Sequence, residues 1–570
     1  MASQPYQFLH GIVDMGRISN GIRFSITDIS PPTARLMPTI FQDRAGISLY
    51  DAQFSNAHLP RGMRCPIPDD IMDQVVDRLL RFQITCEDFG VPPENIYVLA
   101  TEATRTAPNS TEFLARIKNR TGWDVQLLRK EDEGRIGALG IASSSSSVAG
   151  LAMDLGGGST QFTWVVEKDG MVTTSERGSF SFPYGAAALM MRLEQARKEG
   201  KKAEKALREE ITNNFREAYP RLEVPGSLVE ATKARGRFDL YLCGGGFRGW
   251  GYVLMKQSKI EPYPIPIING YQAHRDEFHD TVSVLDVVSD VNEKIFGVSK
   301  RRASQIPAVA VLVNAIMDAL PAITHIQFCQ GGVREGFLFD RMPQEIRGQD
   351  PLVAATLPYA PSSGDAIRIL LGSALPTTSS PIASLYYPES FSHPLLTALA
   401  NLLFAHSRVP RESRSAAALH STTTGILASV NSLSHTQRAI IALVLCERWA
   451  GNLAPTDESY QRQLVRCLSA QETWWCQYVG RVAAMIGDVY PAGRVSPVHE
   501  RIQFETGWES IIKKKEPCDL LRLRLRCNHD DAVLRTTPDT LQERATGMEK
   551  MGKKKNWPRG YGVRVGMTIC

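Results

Sequence analysis

The sequence predicts an α/β protein of two related lobes followed by a mainly helical domain. Three observations predict it. An apolar strand, an Asp-x-Gly turn and a second β-rich strand occur twice, around Asp14 and around Asp154. Strands alternate with amphipathic helices between and after these hairpins, the pattern of sheets covered by helices. Beyond Arg347 the sequence turns Pro- and Ser-rich and then helical in period. The 570 residues call for two to four domains. With 43% hydrophobic and 22% charged residues, wholesale disorder is excluded. Lys plus Arg, 65, less Asp plus Glu, 60, leaves +5 without a long basic tract, so no specific nucleic-acid partner is expected.

In chain order, Gly11-Ile12-Val13-Asp14-Met15-Gly16 leads through a turn into Gly21-Ile22-Arg23-Phe24-Ser25-Ile26. Apolar residues at helical spacing (Ile71, Val75, Val76, Leu79, Leu80, Phe82) predict a helix over 68–89. A strand over 95–100, a capped helix over 110–120 and a strand over 125–128 follow. The serine run 143–147 reads as an exposed low-complexity loop. The second hairpin runs from Leu151-Ala152-Met153-Asp154-Leu155 through Gly156-Gly157-Gly158 into Gln161-Phe162-Thr163-Trp164. The charged stretch 190–233 reads as helix with a solvated face. Two more glycine clusters follow short strands, Gly244-Gly245-Gly246 after 238–243 and Gly331-Gly332 after 325–329. The most apolar long stretch, 306–323, is interrupted by Asn314 and Asp318 and reads as a buried helix, so no membrane span is expected. Helices over 394–404 and 436–449 belong to the C-terminal domain. The resulting division is lobe I 1–138, lobe II 139–345, linker 346–390, helical domain 391–528 and a basic tail 529–570 expected to be disordered. The ten scattered cysteines form no C-x-x-C pair, which fits reduced thiols of a cytoplasmic or nuclear protein. Residues 1–10 show no secretory signal.

Glycines at strand ends let backbone N–H groups approach an anion, and several such turns converging from two lobes make a phosphate cradle. A carboxylate beside each, Asp14 and Asp154, suits a Mg²⁺ ion that keeps its waters and bridges phosphate oxygens. One Asp-x-Gly turn alone is usually a tight hairpin with a solvated Asp. Two such turns with two further glycine-rich strand ends favour the cradle.

With these motifs the sequence resembles the exopolyphosphatase and guanosine pentaphosphate phosphatase (Ppx/GppA) family of the actin-like ATPase superfamily, nearest to its fungal retrograde-regulation branch. Further marks are Asp43-Arg44-Ala45-Gly46, Ala100-Thr101-Glu102-Ala103-Thr104-Arg105, Glu131-Asp132-Glu133-Gly134-Arg135 and Ser181-Phe182-Pro183-Tyr184-Gly185. The resemblance implies two actin-like (ASKHA, ribonuclease H-like) lobes with an interlobe phosphate-binding cleft, and a C-terminal helical HD-like domain. It implies that Glu133 activates the attacking water, that Asp14 and Asp154 hold Mg²⁺, and that Arg105 contacts phosphate through its guanidinium fork. Ser19, Asn20, Gly156, Gly157, Gly158, Ser159 and Thr160 would cradle phosphate. Gly244, Gly245, Gly246, Gly331 and Gly332 would close the other side, near a nucleotide or a polyphosphate chain. Expected partners are a phosphate-rich small molecule (ATP, a GTP derivative or polyphosphate) and a regulatory protein of mitochondria-to-nucleus signalling, in the cytoplasm; a homodimer is compatible. The function implied is that of a signalling regulator binding nucleotide or polyphosphate in the cleft, its enzymatic side leaning to a slow or latent phosphoanhydride hydrolase; an active Mg²⁺-dependent exopolyphosphatase or guanosine polyphosphate phosphohydrolase is the first alternative and a non-catalytic scaffold the second. Two departures stand out. Arg17-Ile18 lengthens the first turn before Ser19 and Asn20, which counts against turnover. Ala418-Leu419-His420-Ser421 lacks the carboxylate of the Leu-His-Asp pattern of bacterial relatives, leaving His420 expected as a satisfied core histidine.

Overall fold

Both Asp-x-Gly hairpins form the centres of sheets. The computed structural model describes residues 5–16, 21–54, 64–236, 238–289, 294–321, 323–376, 385–450, 453–496, 498–513, 516–528, 531–536 and 538–570. Chain contacts divide it into two units, Met1–Lys259 with Ile267–Gln349, and Ile260–Pro266 with Asp350–Cys570.

In the first unit, β1 (Leu9–Asp14), β2 (Ile22–Asp28), β3 (Thr39–Ala45), β4 (Ile96–Ala100) and β5 (Val125–Leu127) form a sheet of order β3-β2-β1-β4-β5. A second sheet holds β6 (Ala149–Leu155), β7 (Thr160–Lys168), β8 (Met171–Thr174), β9 (Phe180–Phe182), β10 (Asp239–Cys243), β11 (Gln272–His274) and β12 (His325–Phe328), in the order β11-β12-β10-β6-β7-β8 with β9 beside β7. Omitting β9 and β11, the second sheet repeats the first. In each, the Asp-bearing strand pairs antiparallel with the strand after its turn and parallel with the next crossover strand. The duplication read from two short motifs is thus a duplication of topology.

Strand alternation positions the first aspartate. Val13, Phe24 and Val98 share one face of the first sheet and pack with Val75, Leu79 and Phe82 of helix Asp69–Phe89. Ile12 and Leu99 face the other side, against Ile136 and Leu139 of helix Lys130–Ser143 and Phe337 of helix Val333–Arg341. Asp14, two residues beyond Ile12, falls on that second face because side chains alternate with period two. The two helices approach closely through glycine: a Cβ on Gly331 would lie 1.6 Å from the Gly140 carbonyl oxygen, and one on Gly336 1.9 Å from that of Ile136.

Several elements depart from the sequence expectations. Helix Ser110–Thr121 has no side-chain cap bond at its start and ends on Gly122 in the left-handed region. Of the serine run expected as an exposed loop, Ser146 and Ser147 are exposed but Ser143, Ser144 and Ser145 are buried. The reason is Arg35, whose guanidinium donates to the carbonyls of Ala142, Ser143, Ser145, Arg347 and Gln349. It thereby satisfies the C-terminal end of helix Lys130–Ser143, where a cation is favoured.

The second unit is mostly helical. Helices Pro351–Thr356 and Gly364–Ser373 occupy part of the segment expected as a linker; Ile367, Leu370 and Leu371 give the second an apolar face that must be buried. Helices His435–Trp449 and Ala470–Val489 form the centre, each started by a capping box, Ser434 with Gln437 and Ser469 with Glu472. A sheet β13-β14-β15 joins Ile502–Lys513, Glu516–Cys527 and Arg564–Ile569. The last strand lies in the region expected as disordered tail, its Val565 and Met567 buried despite the flanking lysines. His420 has a carboxylate partner after all. Its Nε2 lies 2.9 Å from Asp457 Oδ1, and its ring stacks on Tyr460 with centroids 4.5 Å apart. The aspartate comes from helix Pro455–Arg466 instead of the next residue, so sequence adjacency missed it.

Candidate active site

A cleft of about 650 Å³, counting its open mouth, is lined by residues of both hairpins and of helix Lys130–Ser143. Asp14 closes β1; its Oδ1 accepts the Gly16 N–H at 2.9 Å, and the Gly16 carbonyl accepts the Thr101 hydroxyl at 2.8 Å. The turn is thereby tied to β4, and the buried carboxylate is fixed at the cleft wall. Asp154 faces it from β6. Gly244 stands at φ +92°, and a Cβ there would lie 2.3 Å from Asp154 Oδ1. Only glycine lets this carboxylate lie over the start of helix Gly245–Gln257, whose dipole favours negative charge.

Glu133 enters from the first turn of helix Lys130–Ser143. Helix phase separates it from its acidic neighbours: Glu131 is exposed, and Asp132 pairs with Arg129 at 2.8 Å. Glu133 is half-buried in the cleft wall. Burial pushes its carboxyl up to about 7; the Arg105 guanidinium draws it down, while Asp154, Glu102 and Asp14 push it further up. A carboxyl that ionises near neutrality beside two other carboxylates is suited to taking a proton.

Gly156, Gly157 and Ser159 complete the near wall. The carbonyls of Gly156 and Gly157 accept the first amides of helix Ala186–Glu199, at 2.9 Å from Ala186 and Ala187. The Ser159 hydroxyl accepts from Gln161 Nε2 at 2.9 Å. Gln161 is a cleft residue the sequence reading did not select; the signal was the hairpin register, which sets Gln161 opposite Asp154 as Arg23 is opposite Asp14.

The structure therefore brings together Asp14, Glu133, Asp154, Gly156, Gly157 and Ser159. Other expected residues make contacts elsewhere in the fold. Thr160 is buried and donates to the Tyr184 carbonyl at 2.9 Å. Gly331 and Gly332 pack on the backbone at Gly140, and Gly246 packs on Leu155. Gly158, Gly244 and Gly245 are outside the cleft lining, as is Arg105, which donates to the Leu128 carbonyl. Ser19 and Asn20, with Arg17 and Ile18, lie outside the described residues. A separate basic pocket is lined by Arg44, Lys294, Arg301 and Arg302. The β2–β3 register places Arg44 opposite Arg23, so Asp14, Arg23 and Arg44 form one cross-strand row on one sheet face.

Among the described residues, no three His, Cys, Asp or Glu side chains stand close enough to hold a metal by themselves. Mg²⁺ is commonly bound by one or two carboxylates with waters and substrate phosphates. Two aspartates at one cleft fit an ion of that kind arriving with a phosphate ligand.

A model of the Ppx/GppA phosphatase family matches residues 28–345. The chain belongs to the Ppx/GppA phosphatase family. That membership accords with the duplicated α/β topology of the two sheets. The model of the RTG2 C-terminal domain matches residues 350–570. Retrograde regulation protein 2 of Saccharomyces cerevisiae is 39% identical over 524 residues, covering 88% of this chain and 86% of that protein. Exopolyphosphatase 1 of Mycobacterium tuberculosis is 26% identical over 262 residues, 44% of this chain and 69% of that protein. Among solved structures, the Aquifex aeolicus member of the Ppx/GppA protein family aligns at TM-score 0.44 and 19% identity, over 58% of this chain and 97% of that one. No helix among the described residues is long and apolar enough to cross a membrane.

Proposed function

We propose that this Ppx/GppA protein is a cytoplasmic regulator of the retrograde-regulation type whose interlobe cleft binds a phosphate-rich ligand and slowly hydrolyses its terminal phosphoanhydride. The observation that carries the reading is Glu133, a half-buried carboxyl raised to about 7 that faces Asp14 and Asp154 across the cleft. In this mechanism Glu133, ionised, takes a proton from a water molecule whose oxygen bonds to the terminal phosphorus. The bridging P–O bond breaks and the shortened ligand leaves as the anion. Ser159 and the backbone at Gly156 and Gly157 orient the phosphate, with Arg105 answering the charge at Glu133. A Mg²⁺ ion, when bound, would be held by Asp14 and Asp154 and would neutralise phosphate oxygens. The basic pocket at Arg44, Arg301 and Arg302 suits the remaining charge of a long anion such as polyphosphate or a guanosine polyphosphate.

The test is phosphate release from polyphosphate, ATP and guanosine pentaphosphate by the full chain with Mg²⁺, beside Glu133→Gln. Release that disappears in the variant is the expected result and names the substrate; release that Glu133→Gln leaves unchanged sinks the mechanism. A second reading, in which the cleft senses a ligand without turnover and reports it to a regulatory protein, is favoured by the two-residue lengthening at Arg17-Ile18. It expects Asp154→Ala to abolish ligand binding and signalling together.

A further inference from the structure

Among the described residues three arginines are buried: Arg35, Arg438 and Arg448. Two have carbonyl acceptors within the protein, although the Arg438 Nε, like that of Arg448, is buried without a partner. Arg35 donates to five carbonyls, and Arg438 donates to those of Thr422 and Val430. Arg448 differs. It is only 5% exposed, its Nε is buried without a partner, and no described residue accepts a hydrogen bond from its guanidinium. Such a group is costly to bury unless something outside the protein's own atoms completes it.

Arg448 lies in the last turn of helix His435–Trp449 and lines a cavity of the C-terminal unit with Arg411, Arg414, Arg544, Glu412 and Asp488. The acidic groups do not balance it. Asp488 is engaged by Arg544 at 2.9 Å, and Glu412 is exposed at the rim. Four arginines against two carboxylates leave +2 on the wall. Arg414 is anchored to the carbonyls of Ser407 and Val409, and its guanidinium and that of Arg448 both lie over the Trp449 ring, 4.6 and 4.1 Å from its centroid. The indole thus holds two cations in place by cation–π contact. Room for Arg448 is built into the neighbouring helix, since a Cβ on Gly487 would fall 1.8 Å from its Nη2. Burial draws the guanidinium down to about 10; Asp488 opposes the shift in part, and Arg544 and Arg414 add to it.

We propose that this arginine cavity of the C-terminal unit is a second ligand site, one that takes the dianionic phosphate group of a small phosphorylated molecule. Arg448 supplies the buried fork, Arg411 the rim charge, and Trp449 the support. The site is independent of the interlobe cleft and of any turnover there.

The experiment uses the full chain carrying Asp154→Ala, which disables the cleft, titrated calorimetrically with inorganic pyrophosphate at constant ionic strength. Binding is expected, with quenching of indole fluorescence that Trp449→Phe removes. Arg448→Met is expected to weaken it at least about tenfold and the exposed Arg411→Ser about threefold, as for lost charge-assisted hydrogen bonds. Because Arg448→Met exchanges a buried residue, Arg411→Ser serves as the variant whose folding is not at issue. Absence of binding at millimolar pyrophosphate overturns the proposal, as does affinity unchanged in Arg411→Ser or citrate binding in preference to pyrophosphate.

Discussion

Glu133 shows how one side chain draws its chemistry from helix phase. Its carboxyl ionises near 7 where a free glutamate ionises near 4.5, so between those values the folded chain holds the extra proton. Phosphate release should therefore rise with pH through about 7 and level off above it, read from initial rates on polyphosphate between pH 5.5 and 8.5. Glu133→Gln should lower the rate at every pH by roughly 10²–10⁴. The same shift sets a stability slope. Because the native state binds more protons than the unfolded state between about 4.5 and 7, stability falls as pH rises through that window. The glutamine variant should then be more stable than the parent at pH 8, by about 1–3 kcal/mol, with the gap closing near pH 4.5, measured by urea denaturation. Composition and spacing alone did not single out this residue. Glu131, Asp132 and Glu133 look alike in sequence, and only the resemblance chose the third; the physical selector is that Arg129 takes Asp132 while Glu131 points to water.

At the scale of elements, helix Lys130–Ser143 is placed by contacts at both faces and at its end. Arg35 satisfies its last carbonyls from a position more than a hundred residues earlier, which is why the first three serines of the run, Ser143, Ser144 and Ser145, are buried while Ser146 and Ser147 stay exposed. Arg35→Met should cost about 3–5 kcal/mol, the range for removing one side of a buried charged network, as a lowered urea midpoint of the first unit. Glycine sets the other contact. Gly331→Ala would press a methyl into the Gly140 carbonyl, and the backbone must separate to admit it. Overpacking of this kind costs about 1–3 kcal/mol. Since the displaced helix carries Glu133, kcat should fall along with the melting temperature, whereas Gly372→Ala, with open space around it, should change neither. Where elements were read in this half their type was legible because hydrophobic period and strand punctuation agree, and helix Asp69–Phe89 and β4 differ from expectation by a residue; helix Lys130–Ser143 and β3 were not read. The packing of Gly331 and Gly332 on Gly140 was not legible, because a glycine that admits a phosphate and one that admits a helix look the same in sequence.

For the whole molecule the two family matches meet between residues 345 and 350, and the compact units part between Gln349 and Asp350. A linker and a tail were expected where the C-terminal unit begins and finishes, because Pro, Ser and Lys dominate locally and the apolar residues there are few. Those few are well used. β15 runs parallel to β14 from Leu520 opposite Arg564 to Leu525 opposite Ile569, and the Cys527 amide donates to the Cys570 carbonyl at 2.7 Å. Leu521, Leu523 and Leu525 of β14 are fully buried, as is Met548 of helix Pro538–Met551, which packs on β15. Ending the chain at residue 528 would leave the β14 edge unpaired and bare these leucines to water, a combination that promotes association between chains. Such a truncation should lose the cooperative thermal transition of the C-terminal unit and elute as aggregate, whereas replacing the exposed Lys553, Lys554 and Lys555 by serine should leave melting unchanged. Calorimetry with size-exclusion chromatography distinguishes the two: if the truncated chain melts like the parent and stays dispersed, the last strand is an ornament on a domain that stands without it. The pairing register and the buried leucines argue that it is instead the strand that closes the sheet.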